Sequence, residues 1–215
     1  MIMKEQLTEK FWNHCFAKPN SDYTALINRD YTATLALLRK HKVKKVLDLG
    51  CGYGHWSIVL SKNGFKLTSV DISPVAINIL DNWANKENIE IITKVCAAQK
   101  MKFPKESFTA VICNSVLDHM LLNDTKRVVN KIKNILKPNG IVYLSFDGFE
   151  EENKNHYEIL PDGTWLFKKG KHKGMLWRYF TNNEILNLCK EFTVIRFSTK
   201  SNGKRSLWLC KCILN

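Results

Sequence analysis

The sequence predicts an α/β domain: a doubly wound, mostly parallel sheet of about seven strands with an antiparallel C-terminal strand. Three observations predict it. Hydrophobic periodicity alternates five times between short strand-like runs and helical runs. The first strand runs straight into a glycine cluster, and a helix begins at once. The last two strand runs are joined by Ser201-Asn202-Gly203, close enough to pair as a hairpin.

Taken in order, residues 5–16 and 22–40 read as helices, the second carrying Leu26, Ile27, Leu35 and Leu38 at helical spacing. Residues 43–49 form a short buried strand. His55 to Lys62 is helical and stops at Asn63-Gly64. Residues 65–70 are a strand, and 74–84 a helix opened by Ser73 as N-cap with Pro74 in its first turn. Strands follow at 89–95 and 110–114. Asn123 to Leu136 is a helix closed by Pro138-Asn139-Gly140, and 141–146 is a strand. After a polar excursion over 148–180, Thr181 caps a helix to Lys190; strands at 192–198 and 207–213 end the chain. No repeat or linker divides it. Residues 1–215 are expected to form one domain, with 1–40 as an N-terminal helical cap and 148–180 as a lid-like insertion.

Composition narrows the function classes. A chain of 215 residues, 45% hydrophobic and 25% charged, can bury a proper core. No apolar run is long enough for a signal peptide or a membrane span, so a cytoplasmic protein with no membrane partner is expected. Seven cysteines, without a C-x-x-C pair, argue against a disulfide framework and a four-ligand zinc site. Cys210 and Cys212 share one strand face and read as core; no metal is expected.

The formal net charge is +13, and one stretch concentrates it. Between Gly163 and Asn183 there is no acid, whereas Lys168, Lys169, Lys171, Lys173 and Arg178 all fall there. Such a loop attracts anions, and it equally fits a solvated surface.

The chemistry sits after the first strand. Asp48-Leu49-Gly50-Cys51-Gly52-Tyr53-Gly54 leads directly into a helix. Alternate glycines let the backbone turn tightly and approach a ligand with no Cβ in the way, and helix amides face what lies above. Asp71, 19 residues beyond Gly52, ends the second strand, where it can accept hydrogen bonds from a ribose diol. Ligands of such sheets bind outside the carboxyl ends of the strands, at the switch point. The dinucleotide fingerprint requires glycine three residues after Gly52, where this chain has His55.

The loop reads G-x-G-x-G instead, with an acid two residues before the first glycine. In this, VLDLGCGYGHWSIVLSKNGFKLTSVDISPVAI resembles the first two motifs of the class I S-adenosylmethionine (SAM)-dependent methyltransferases. KFPKESFTAVICNSVLDHM resembles the segment around their fourth strand, and LKPNGIVYLSF their fifth-strand motif. The resemblance covers roughly residues 40–147 and implies a Rossmann-like fold with SAM as cofactor. It implies that Asp48 holds the methionine ammonium, directly or through water, and that Gly50, Gly52 and Gly54 line the methionine and ribose. Asp71 would take the ribose hydroxyls, Ile72 would pack on adenine, and Asn114 would offer its carbonyl near the sulfonium. Many relatives carry an acid after the third strand that accepts the adenine amine. This chain reads Cys96-Ala97-Ala98-Gln99, so adenine recognition falls to backbone groups around Ala98 or to Gln99.

The acceptor class follows from motifs that are missing. Asn114-Ser115-Val116-Leu117 lacks the Asn/Asp-Pro-Pro-aromatic pattern of enzymes methylating base amines, and no cysteine follows a proline as in cytosine-C5 enzymes. The remaining pattern resembles the broad group that methylates small molecules. A sulfonium methyl is already activated, so transfer needs in-line positioning and sometimes a base. His119 and Asp118 are the base candidates, although a histidine there equally packs or binds backbone. Trp12, His14, Tyr23, Trp165, Trp177, Arg178 and Tyr179 supply the aromatics and charge of a lid. The expected function is methyl transfer to a small-molecule acceptor, with the basic insertion steering an anionic group. An RNA-directed enzyme, or a SAM-binding regulator without turnover, are the alternatives.

Overall fold

A computed structural model describes residues 2–18, 23–148, 152 and 154–211 of the chain. Its centre is a seven-stranded sheet built from β1 (Lys45–Leu49), β2 (Lys66–Asp71), β3 (Ile91–Val95), β4 (Phe108–Asn114), β5 (Leu136–Phe146), β9 (Thr193–Thr199) and β10 (Arg205–Cys210). The order is β3-β2-β1-β4-β5-β10-β9. β10 pairs antiparallel with both neighbours, and the other pairings are parallel. The predicted architecture is therefore the observed one. β1 pairs with β2 on one side and β4 on the other, so the switch point lies at its carboxyl end.

Both faces of this sheet are covered, which is why β1 is buried at every position after Lys45 instead of alternating. Leu47, Leu49, Val111 and Val142 meet Val128, Val129 and Ile132 of α5 (Leu122–Ile135) on one face. On the other, Val46, Ala110, Ile112 and Trp208 meet Leu38 of α2 (Thr32–Lys40) and Leu60 of α3 (His55–Lys62). α4 (Pro74–Lys86) adds Ile77, Leu80 and Trp83 against Ile58 of α3 and Cys51. Ser73 caps α4 as predicted, its hydroxyl accepting the Ala76 N–H. Thr181 and Glu184 form a reciprocal capping box at α6 (Asn182–Leu188).

Three differences from the sequence reading have local causes. The run 22–40 is a 3-10 turn over Tyr23–Asn28 followed by α2, because Asp30 Oδ1 accepts the Thr32 N–H at 2.8 Å and restarts the helix. β5 begins at Leu136, directly after α5. Its pairing with β4 jumps from Phe108↔Leu136 to Ala110↔Ile141, so residues 137–140 bulge out and Asn139 takes φ 59°. Finally, the polar excursion contains β6 (Tyr157–Ile159), β7 (Trp165–Phe167) and β8 (Leu176–Trp177), a small antiparallel sheet. Strands of two or three residues are too short to register a period.

This small sheet packs on α1 (Ile2–Ala17). Phe11 meets Phe167, Met175 and Trp177, with Trp12 and Trp165 at the margin. Tyr157 stacks on Trp165 with ring centroids 3.9 Å apart. Buried Arg205 ties this roof to the main sheet, donating from Nη1 to the Phe180 carbonyl and from Nη2 to the Asp147 carbonyl. The Tyr23 side chain and Cys212 lie outside the described residues.

Candidate functional site

The cradle forms where β1 ends. Gly50 and Gly52 donate their N–H groups to the Val70 carbonyl and to Asp71 Oδ2, folding the loop against the end of β2. Gly50, Gly52 and Gly54 all take positive φ. A Cβ on Gly50 would stand 2.3 Å from Val116 Cγ2, and one on Gly54 2.3 Å from Leu80 Cδ1. Gly50 lines the cavity above the strands. Gly52 and Gly54, expected beside it, do not: a Cβ on Gly52 would meet the Phe16 ring, and Gly54 caps α3 and admits α4 at close range.

The cavity runs along the carboxyl ends of β1, β2, β3 and β4. Asp71 and Ile72 form one end with Ala98 and Gln99, and Val116 and His119 the other. Asp71 is 6% exposed. Its Oδ2 accepts the Gly52 N–H and its Oδ1 the Ser73 N–H, both at 2.9 Å. Each oxygen keeps a lone pair for a further donor. Burial raises the Asp71 carboxyl, and the backbone donors partly offset it.

Asp48 lies below the loop, 1% exposed, and does not line the cavity. Its Oδ2 accepts the Ser57 hydroxyl at 2.6 Å, and Ser57 and Ser69 share a further hydrogen bond of 2.7 Å. Burial pushes its carboxyl up to about 7, against the Ser57 bond that favours ionisation. Any hold on a methionine ammonium from there runs through an intermediary. The Asn114 side chain is likewise turned away: its Oδ1 accepts the Ser145 hydroxyl at 2.8 Å, and Ser115 and Val116 line the cavity next to it in the chain.

His119 and Asp118 part company. Both sit in a 3-10 turn after β4, Leu117–His119, but only His119 reaches open space. Asp118 is 1% exposed, its Oδ2 accepting the Asp147 N–H at 2.8 Å while Oδ1 has no partner among the described residues. It stands behind the histidine, which rules it out as a base in contact with an acceptor. The His119 ring rests edge-on against Trp12, 5.0 Å between centroids. Its Nδ1 is 3.1 Å from the Leu176 carbonyl on β8, and its Nε2 3.5 Å from Asp147 Oδ2.

A second cavity opens on the far side of His119, lined by Asp147, Glu152, His172, Trp177 and Lys204 among others. Lys204 Nζ is 3.1 Å from Asp147 Oδ1, and both Asp147 and Lys204 bond the Ser115 hydroxyl. Burial would raise the Asp147 carboxyl, but the bond from His119 and the Lys204 charge hold it well below the usual range. Side-chain atoms of Asp118, His119 and Asp147 lie within 4.8 Å of one another. Lys204 already supplies positive charge at that point.

The basic insertion is placed otherwise than expected. Lys168, Lys169, Lys171 and Lys173 are exposed and line neither cavity; Lys168 pairs with Glu158. Arg178 is tied to the Asp162 carbonyl and to Glu184 Oε1, so it is a structural brace. The cation at the second cavity is Lys204, which no motif marked. Its signal lay in topology: Arg205 pairs with Phe146, so Lys204 must stand beside Asp147 once β10 is laid antiparallel on β5. His14 is exposed and apart, whereas Trp12 lines the first cavity and Trp177 the second.

Comparison with known proteins places this geometry. A family model described as a methyltransferase domain matches residues 22–194. The chain is 30% identical over 118 residues to the sterol 4-C-methyltransferase strm-1 of Caenorhabditis elegans, covering 53% of this chain and 35% of that protein. It is 30% identical over 104 residues to a ubiquinone biosynthesis O-methyltransferase of Coxiella burnetii, covering 48% and 44% respectively. It spans less than half the length of these two relatives. Among solved structures, the 1,6-didemethyltoxoflavin-N1-methyltransferase of Burkholderia thailandensis, with bound 1,6-didemethyltoxoflavin and S-adenosylhomocysteine, has the same fold. The TM-score is 0.71 at 17% identity, over 97% of this chain and 88% of that one.

Proposed function

Since the chain belongs to the methyltransferase-domain family, we propose that it transfers the methyl group of SAM to a small-molecule acceptor. One observation carries the reading: two cavities meet at His119, one along the glycine loop and Asp71, the other against Asp147 and Lys204. The first has the character of a cofactor site. A Cβ at Gly50 has no room beside Val116, and Asp71 keeps lone pairs at the cavity wall for a ribose diol. Ile72, Ala98 and Gln99 would enclose adenine at that end. SAM supplies a methyl group already activated on a sulfonium centre.

The second cavity would take the acceptor. Phe167, Met175 and Trp177 give it an apolar wall, and Lys204 would meet an anionic group. The roof of α1 and the small sheet excludes water from the junction. A cytoplasmic setting belongs to the same proposal, supported by six free cysteines among the described residues. No described helix is long and apolar enough to cross a membrane.

Calorimetry tests the cofactor half. Wild type should bind SAM, and Asp71→Ala should lose about 10- to 100-fold in affinity, or ~1.5–3 kcal/mol, with its pair of charge-assisted hydrogen bonds. Asp71→Asn, which keeps one oxygen acceptor, should fall between. A wild type that takes up no SAM, or an Asp71→Ala protein of unchanged affinity, sinks this reading.

A further inference from the structure

We infer that the second cavity receives an acceptor through a hydroxyl group, whose proton is drawn to Nε2 of His119, and that Asp147 is the positioning residue for that histidine. The inference rests on the reading of the second cavity as the acceptor chamber. It starts from the two ends of one ring. Nδ1 of His119 faces the Leu176 carbonyl at 3.1 Å, and a carbonyl oxygen can only accept. In the tautomer that makes this contact a hydrogen bond, Nδ1 carries the proton and the lone pair of the neutral ring is on Nε2. Nε2 points towards Asp147 Oδ2, 3.5 Å away, at the wall of the second cavity.

The surroundings suit a ring that gains and loses one proton there. Asp118 lies behind His119 in the same turn, Asp147 follows β5, and Lys204 precedes β10. Glu152 and His172 line the same chamber from the insertion, and Trp12 closes the α1 side without charge. Asp147 is itself held: its Oδ1 accepts from the Ser115 hydroxyl at 2.9 Å and pairs with Lys204 at 3.1 Å, and its N–H donates to Asp118. Two fixed acceptors thus bracket the imidazole, one of them charged. Burial works against the imidazolium, yet Asp118 and Asp147 outweigh it and leave the His119 pKa raised.

A base in this place points to a hydroxyl. A neutral amine attacks with its own lone pair, whereas a hydroxyl becomes a strong nucleophile only as its proton leaves. The bookkeeping is closed. The acceptor O–H bond breaks, and its proton goes to Nε2 of His119. The oxygen pair forms the new O–CH3 bond while the S–CH3 electron pair stays on sulfur. Asp147 stabilises the imidazolium until Nε2 returns its proton to water through the second cavity.

The ring can be watched directly, without knowing the acceptor. In labelled protein saturated with S-adenosylhomocysteine, long-range proton–nitrogen spectra are recorded across pH, with His119 assigned by its loss in His119→Gln. We expect the neutral ring to carry its proton on Nδ1 and to titrate above the ordinary 6.5. In Asp147→Asn the midpoint falls; in Asp147→Glu it is restored. S-adenosylhomocysteine affinity is unchanged in both, because Asp147 does not line the first cavity. On a hydroxyl acceptor that the wild type methylates, the acid limb of kcat/KM moves with the NMR midpoint. A neutral ring protonated on Nε2, a midpoint that Asp147→Asn leaves in place, or an acid limb that does not follow it overturns the assignment. Failure of the wild type to bind S-adenosylhomocysteine instead strikes the methyltransferase reading itself.

Discussion

Asp48 shows how burial changes the meaning of a motif residue. The acid before the glycine cluster was expected to hold a ligand ammonium, yet its carboxylate is enclosed with Ser57 and Ser69 under the loop. Its folded-state pKa is about 7 against 3.8 when exposed. Between those values the folded chain keeps a proton that the unfolded chain has released. The stability this contributes is fully present below about pH 4 and is lost as pH rises through about 7. Asp48→Asn should therefore flatten the fall in stability of the ligand-free protein, leaving it roughly 2–4 kcal/mol better off, relative to wild type, at pH 8 than at pH 4. Urea denaturation at a series of pH values measures this, and parallel profiles for the two proteins would contradict it. The contrast between Asp118 and His119 is of the same kind. Adjacent in sequence, they differ because a 3-10 turn aims one side chain into protein and the other between two cavities.

At the scale of elements, what was legible depended on length and on partners. β1, α3, β2 and α4 carry strong local signals and lie within a residue or two of their predicted bounds. Asp71 was readable with them, from the end of a strand beside a glycine turn, and Ile72 from the family resemblance; both line the first cavity. The second cavity was not readable. Asp147 and Lys204 are 57 residues apart and meet only because β10 inserts beside β5. The roof was missed for another reason: its three strands are two or three residues long, too short to show a period, and pack on α1. This makes the roof a separable unit of stability. Phe11→Ala should remove its central contact with Phe167 and Trp177 and loosen it by about 2–4 kcal/mol. Amide exchange should then quicken in β7 and β8 but not in β1 or β4. Uniform acceleration in all four strands would mean that the roof and the sheet open together.

For the whole molecule, a net charge of +13 invites a nucleic-acid reading, and the placement of the lysines does not favour it. The four lysines of 168–173 face solvent away from both cavities, and the second is lined by a single lysine, Lys204, enough for one anionic group but not for a run of phosphates. The organising feature is the switch point. β1 lies between β2 and β4, and the groups proposed for the cofactor stand beyond the carboxyl ends of β1, β2 and β3. The second cavity, proposed for the acceptor, lies past His119 under a roof supplied by the first helix and the insertion. A crystal structure with S-adenosylhomocysteine tests this arrangement most directly. The ribose diol is expected on Asp71, adenine between Ile72 and the Ala98–Gln99 turn, and the sulfur facing His119 and the second cavity. A ligand seated elsewhere, or one whose sulfur faces away from His119, would contradict it.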